Sequence, residues 1–287
     1  MLIPILFLGS VAAGSYAFLP STWHKLRHKL RREKGVADPT LYLTFDDGPS
    51  PEYTPRLLDL LACYRVKASF FVVTEFAEKN PHLIRRMCQE GHLVGFHSAR
   101  HRSAYWMTPR QTRRDFANGM AALRELGITP VYFRPPWGVV NWSSLRQIRR
   151  HRLRPMFWDV MAQDWKKHIT KDEIIRRLQR RTQPGDILCL HDGRGAEGAP
   201  DRTIEALQVL LPHWLEQGFR FQTLERYAYV SLEKRIGLWW ALPFAGGNHP
   251  LACFERSKPC TALDGGKTGP PAAAGGGLGM YGGVFLL

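Results

Sequence analysis

Apolar and polar positions follow two alternating periods along most of this chain. Mainly apolar stretches at 41–45, 68–73, 93–96, 131–134, 154–158, 186–190 and 219–222 read as buried strands. Between them lie stretches of helical period with end signals. Thr54-Pro55 and Thr108-Pro109 each set a capping hydroxyl before a first-turn proline, and Asn80-Pro81 opens a helix that Gly91 closes. Thr170-x-x-Glu173 is a capping box before Ile174, Ile175 and Leu178, in a helix that Gly185 ends. This strand-then-helix order predicts an α/β domain, a parallel sheet with helices outside.

Chemistry-bearing residues cluster just past the strand runs. Asp46 and Asp47 follow the first, before a Gly48-Pro49 turn. Successive strand side chains point to opposite sides, so adjacent carboxylates at a strand end can take different tasks, one holding a metal and the other moving a proton. Ordinary turn chemistry also accounts for Asp-Gly-Pro. The next cluster, His97-Ser98-Ala99-Arg100-His101, sets two imidazoles four residues apart. With Asp47 they make three protein ligands and leave positions open, as a catalytic zinc site requires. Two His and a carboxylate equally describe a non-haem iron site, and a chance pair is the plain alternative in a chain with eleven His.

These segments, Thr44-Phe45-Asp46-Asp47-Gly48-Pro49 and His97-Ser98-x-x-His101, resemble the first two motifs of the polysaccharide deacetylases, the family with NodB homology. Three more motifs of that family follow in its order: Arg134-Pro135-Pro136-Trp137-Gly138, Asp164-Trp165, and His191-Asp192 after the run ending at Leu190. The resemblance covers residues 36–225. It implies a distorted, incompletely closed (β/α) barrel and a metal-dependent hydrolase that removes N-acetyl groups from an aminosugar polysaccharide or oligosaccharide of peptidoglycan or chitin type.

It also implies roles. Asp46 is the general base; Asp47, His97 and His101 hold one divalent metal, zinc first, with cobalt or another transition metal as the alternative. Arg134 orients and tunes the base, His191 is the general acid, and Asp164 keeps it charged. Trp137 gives a backbone N–H to the oxyanion, and with Trp165 it walls the groove for the sugar. The family usually has Leu where Cys189 stands, so a small apolar filler is expected there. Met161 stands where relatives are often acidic. Two rivals stay open: deacetylation or deformylation of a lipid-linked sugar at a membrane, and a non-catalytic membrane-anchored carbohydrate-binding module.

The ends differ in character. Residues 2–19 carry no charge, and Lys25, Arg27, Lys29, Arg31, Arg32 and Lys34 follow with only Glu33 opposing. About 18 apolar residues is the lower limit for crossing a bilayer, and a secretory signal would carry basic residues before its apolar part. Residues 1–35 read as a single N-terminal anchor with a basic juxtamembrane segment, a cleaved secretory signal being the alternative, and the protein as membrane-associated. The positive-inside rule leaves the domain in the cytoplasm, whereas a wall-polymer deacetylase faces outward; the sequence does not choose. Residues 36–230 read as the catalytic domain, and 231–287 as a short helix and then a Gly/Pro/Ala-rich tail without fixed structure.

Net charge is +15, from 40 basic against 25 acidic residues. No zinc knuckle, recognition helix or stacking sheet accompanies it, so nucleic acid is not an expected partner. Anionic lipid or an acidic wall polymer suits the charge better, and a merely solvated face accounts for it at least as well. Five cysteines, with no Cys-x-x-Cys pair, give no disulfide framework. Cys63 and Cys88, in predicted helices, are expected in the core.

Overall fold

The computed structural model describes residues 2–31 and 39–227, with side chains described for 15–29 and 39–227. The expectations for 231–287 lie outside the described residues. The element order is α1 (Leu2–Arg31), β1 (Thr40–Asp46), α2 (Tyr53–Cys63), β2 (Ser69–Val73), α3 (Thr74–Lys79), α4 (Pro81–Gln89), β3 (Leu93–Ser98), α5 (Pro109–Glu125), β4 (Tyr132–Phe133), α6 (Trp142–Arg150), β5 (Arg154–Pro155), β6 (Val160–Met161), α7 (Lys171–Arg181), β7 (Ile187–His191), α8 (Ala199–Glu216) and β8 (Arg220–Phe221).

The strands run in the order β5-β4-β3-β2-β1-β7-β6, all parallel, with β8 beside the start of β1. The edge strands β5 and β6 are joined by residues 156–159 but do not pair with each other, so the barrel stays open on that side. This is the incompletely closed (β/α) barrel that the motifs implied. One strand was not anticipated. Val160–Met161 is too short to show a period-2 pattern, and its partner β7 defines it.

Each central strand is buried on both faces, as parallel sheets covered by helices are. Leu41, Leu43 and Phe45 of β1, with Leu188 and Leu190 of β7, join the main core beneath α2, α7 and α8. The opposite column faces the barrel interior. Its lower layer is apolar, formed by Tyr42, Phe71, Leu93, Tyr132, Met156 and Ile187. Climbing toward the C-terminal strand ends, the same columns become polar: Tyr42, Thr44, Asp46 on β1; Ile187, Cys189, His191 on β7; Leu93, Gly95, His97 on β3. Strand alternation thus delivers three motif residues to one end of the barrel, where such folds place their sites.

The Thr108 cap forms as expected, in a reciprocal box with Gln111. At Thr170 half of the predicted box forms: its side chain accepts from the Glu173 N–H, while the Glu173 carboxylate pairs with Arg177. Thr54 does not cap: its helix starts at Tyr53, and its hydroxyl is used in the site described below. Cys63 and Cys88 lie on exposed helix faces rather than in the core, and only Cys189 of the described cysteines is buried. The long α1 is not detached from the barrel, because Ala17 and Ser21 are buried against it. Among the described residues no helix is long and apolar enough to cross a membrane.

Candidate active site and metal centre

Asp47 stands one residue past β1 with φ 75°, a left-handed backbone that turns its side chain out of the strand alternation. Its Oδ1 lies 2.8 Å from His101 Nε2 and 3.2 Å from His97 Nε2. His97 ends the inner column of β3. His101 sits on the following turn, where its N–H donates to Ser98 Oγ at 2.6 Å and the Ala99 N–H donates to half-buried Asp115 at 3.2 Å. Among the described residues, Asp47, Ser98, His101 and Trp137 are four of the seven non-glycine residues with positive φ. Backbone strain is therefore concentrated at this end of the barrel.

The donor set fits a cation. His97 Nδ1 is 2.7 Å from the Arg134 carbonyl, which can only accept, so that nitrogen carries the proton. In its uncharged form His97 then aims a bare Nε2 at the Asp47 carboxylate, and two acceptors at 3.2 Å repel unless positive charge sits beside them. Burial lowers the His101 imidazole further than Asp47 raises it, which keeps that ring neutral too at neutral pH. Asp47 Oδ1 and His101 Nδ1 are buried without a hydrogen-bond partner. The ligand atoms of Asp47, His97 and His101 lie within 4.8 Å of one another. One further pattern supports a metal: His97 bonds a carbonyl through its second nitrogen, as metal-ligating histidines usually do.

Beside this group, Asp46 completes the inner column of β1. Arg134 reaches it across the barrel, with Nη1 2.8 Å from Asp46 Oδ1 and 2.6 Å from Thr44 Oγ1. Nη2 donates to the Phe157 carbonyl at 3.3 Å, and the guanidinium lies 4.2 Å from the Phe71 ring centre. Arg134 is completely buried. A cation so placed is held by these partners, although its Nε is buried without one. Cys189 is not the inert filler expected of it: its Sγ donates to Asp46 Oδ2 at 3.4 Å. Asp46, Cys189 and His191 also lie close enough to hold a metal. Burial, first, and Asp46 push the Cys189 thiol well up, so it stays protonated, and Arg134 already supplies the local positive charge.

His191 is paired with Asp46 in the register of β7 and β1. Its Nδ1 is 2.9 Å from Asp164 Oδ1, while Asp164 Oδ2 accepts from the His191 N–H and from Thr203 Oγ1, each at 2.9 Å. Burial opposes charging the imidazole, yet Asp164 prevails and raises it to about 9. The Trp165 ring is 4.9 Å from the His191 ring, and the Trp137 ring 4.3 Å from that of His101. The two tryptophans thus flank opposite halves of the site, with Trp137 more than half exposed.

All nine sequence-predicted site residues meet at this end of the barrel. Several supporting residues were not foreseen. Thr44 had a signal, since it stands two before Asp46 on the same strand face. Thr203 and Asp115 had none, because each is brought in by a packed helix. Asp192 is buried, accepts from Thr54 Oγ1 at 2.5 Å, and is raised by burial to about 7. It fills the space where a Gly48 side chain would be, while a Gly193 side chain would collide with the Asp47 carbonyl. Those two glycines let the first and fifth motifs touch.

Comparison with known proteins agrees with this geometry. The family model for polysaccharide deacetylase matches residues 33–156. A peptidoglycan-N-acetylglucosamine deacetylase of Bacillus cereus is 32% identical over 184 residues, 63% of this chain and 84% of that protein. A chitooligosaccharide deacetylase of Sinorhizobium fredii is 33% identical over 201 residues, 66% of this chain and 92% of the other. Among solved structures, a family 4 acetyl xylan esterase from Clostridium thermocellum, in complex with a cobalt ion, superimposes with a TM-score of 0.61 at 32% identity, covering 67% of this chain and 91% of its own. Motifs, barrel and relatives agree, and the chain belongs to the polysaccharide deacetylase family.

Proposed function

We propose that this chain hydrolyses the N-acetyl groups of a peptidoglycan- or chitin-like aminosugar polymer or oligomer, using one divalent cation held by Asp47, His97 and His101. Zinc is the first expectation for that ion, with cobalt or another transition metal as the alternative. One observation carries the reading. A single register position sets Asp46, clamped by Arg134, opposite His191, clamped by Asp164, and the metal-type donors begin at the next residue. The relatives' names, peptidoglycan-N-acetylglucosamine and chitooligosaccharide deacetylase, support the substrate class.

A cation bound there would polarise the acetamide carbonyl and bring a neighbouring water close to ionisation at neutral pH. Asp46 takes the proton from that water. Arg134 on Oδ1 and the Cys189 thiol on Oδ2 fix the plane of its carboxylate, so it need not reorganise. The Trp137 N–H steadies the negative oxygen of the tetrahedral intermediate, a contribution of about 3 kcal/mol for such a donor. Asp164 occupies Nδ1 of His191, which leaves Nε2 to protonate the departing amine. Trp137 and Trp165 offer flat faces to the sugar ring. A second reading, removal of acetyl or formyl from a lipid-linked sugar, is favoured by the docking of α1 on the loop that carries Trp137.

Acetate release by the purified full chain tests the proposal, on acetylated chitooligosaccharides, peptidoglycan fragments and lipid-linked acetylated sugars, with and without added zinc or cobalt. Release is expected only with metal. Asp47→Ala should lower the metal retained after dialysis, read by elemental analysis, and abolish release. Metal binding without hydrolysis of any of these substrates would instead make the protein a carbohydrate-binding module.

The acid role has a pH signature. Because His191 is raised from 6.5 to about 9, its pairing with Asp164 stabilises the fold fully below 6.5, and that contribution fades as pH rises through about 9. Activity should persist into the same range. A cation beside Asp47 offsets the part of the rise that Asp47 supplies, so the alkaline limb of kcat should fall between 6.5 and about 9. Asp164→Asn should move that limb to lower pH; an unmoved limb would exclude His191 as the acid.

A further inference from the structure

The C-terminal half of α1 has two unlike faces. Ala17, Ser21, His24 and His28, spaced i, i+4, i+7 and i+11, turn toward the barrel. Ser21 is buried and exchanges hydrogen bonds with Val140, its hydroxyl donating to the carbonyl at 2.9 Å and accepting from the N–H at 3.0 Å. Lys25 Nζ lies 3.4 Å from the Trp137 carbonyl, and His28 Nε2 3.0 Å from Asp159 in the segment that bridges the open side of the barrel. The His24 and His28 rings rest against Phe157, whose carbonyl accepts from Arg134. The helix is therefore fixed in orientation relative to the candidate active site.

The opposite face is apolar and bare. Leu19, Trp23 and Leu26, spaced i, i+4 and i+7, are 56%, 63% and 48% exposed, with Phe18 beside them at 55%. Lys25 and Lys29 border this stripe on one side and Arg27 on the other. Two more exposed tryptophans adjoin the docking point. Trp142 follows the Val140–Asn141 turn directly, and Asn141 Nδ2 donates to the Ala104 and Met107 carbonyls, which bracket Trp106, 86% exposed. An apolar helical stripe with cations on both borders and tryptophan at its edge matches the interface of an anionic bilayer, where lysine and arginine reach the headgroups and indole rings sit at their level. The same helix begins in the uncharged stretch 2–19, which continues the apolar character in one direction, while Arg31, Arg32 and Lys34 continue the positive charge in the other.

We propose that the outer face of α1, centred on Leu19, Trp23 and Leu26, seats on the surface of an anionic lipid bilayer, and that the bonds of its inner face hold the Trp137 side of the catalytic mouth next to the lipid. The first part is independent of the enzymatic reading; the second rests on it, and it confines substrate to saccharide chains within reach of the membrane surface.

A fluorophore on the stripe tests this. The full chain, with Cys63, Cys88, Cys253 and Cys260 replaced by Ser and Leu26→Cys labelled with the environment-sensitive dye NBD, is mixed with vesicles. With phosphatidylcholine–phosphatidylglycerol vesicles, emission should rise several-fold and shift to the blue, while the same label at Arg110→Cys, on exposed α5, stays unchanged. Lys25→Glu with Lys29→Glu should move the response to higher vesicle concentration. An unchanged label at 26 with anionic vesicles overturns the proposal, even if residues 2–19 hold the protein to them. So does a lipid-free rise that grows with protein concentration, which would make the stripe a contact between copies. Emission does not depend on turnover, so a failed deacetylase assay and a dry label remain separate results.

Discussion

Asp46→Asn should keep its metal and lose about 10²- to 10⁴-fold in turnover, the usual worth of a general base. The substitution is isosteric. Asn Oδ1 still accepts from Arg134, and the neighbouring donors Asp47, His97 and His101 are untouched. What disappears is the capacity to take a proton. Turnover on an acetylated chitooligosaccharide, with elemental analysis of the dialysed protein, separates the two effects. A variant that turns over like the parent removes Asp46 from the mechanism. A variant that loses its metal would show instead that Asp46 belongs to the ligand set.

Removing Arg134 should produce the largest loss of stability. It is fully buried, and its guanidinium answers Asp46, Thr44 and the Phe157 carbonyl at once. Arg134→Met leaves a buried carboxylate with no counter-charge, a change that typically costs about 3–5 kcal/mol. Urea denaturation should report that loss together with a collapse of turnover. Adding Asp46→Leu removes the orphaned charge, and apolar replacement of both partners is often neutral. The double variant should therefore recover much of the stability and none of the activity. A single variant destabilised by less than about 1 kcal/mol would mean that water reaches the pair and screens it.

Much of the site was legible because strand geometry is simple. An apolar run ending in Asp46, another in His97 and a third in His191 each deliver a side chain to the same end of a parallel barrel, since alternation fixes the face and the strand end fixes the height. The ordered motifs then gave Arg134, Asp164 and the tryptophans. The readings that failed concern neighbours. Thr54 has the sequence of a cap but bonds Asp192, 138 residues away, because the first and fifth motifs touch through Gly48 and Gly193. Cys189 was expected to be filler, yet it bonds Asp46, since its strand column also carries His191. Cys63 and Cys88 were placed in the core from helical position alone, which does not say which helix face is covered.

The residue types and their order along the chain settled the family and the barrel, and named the groups proposed to bind a cation or move a proton. Those depend on local period and on donor chemistry, both written in consecutive residues. Only the folded chain decided that Thr203 steadies Asp164, that Arg134 is sealed between Phe71 and Asp46, and that α1 lies with one face against the Trp137 loop and the other bare. Such contacts join positions from 39 to 119 residues apart. They are chosen by which surfaces pack together, and no short stretch of sequence carries that choice.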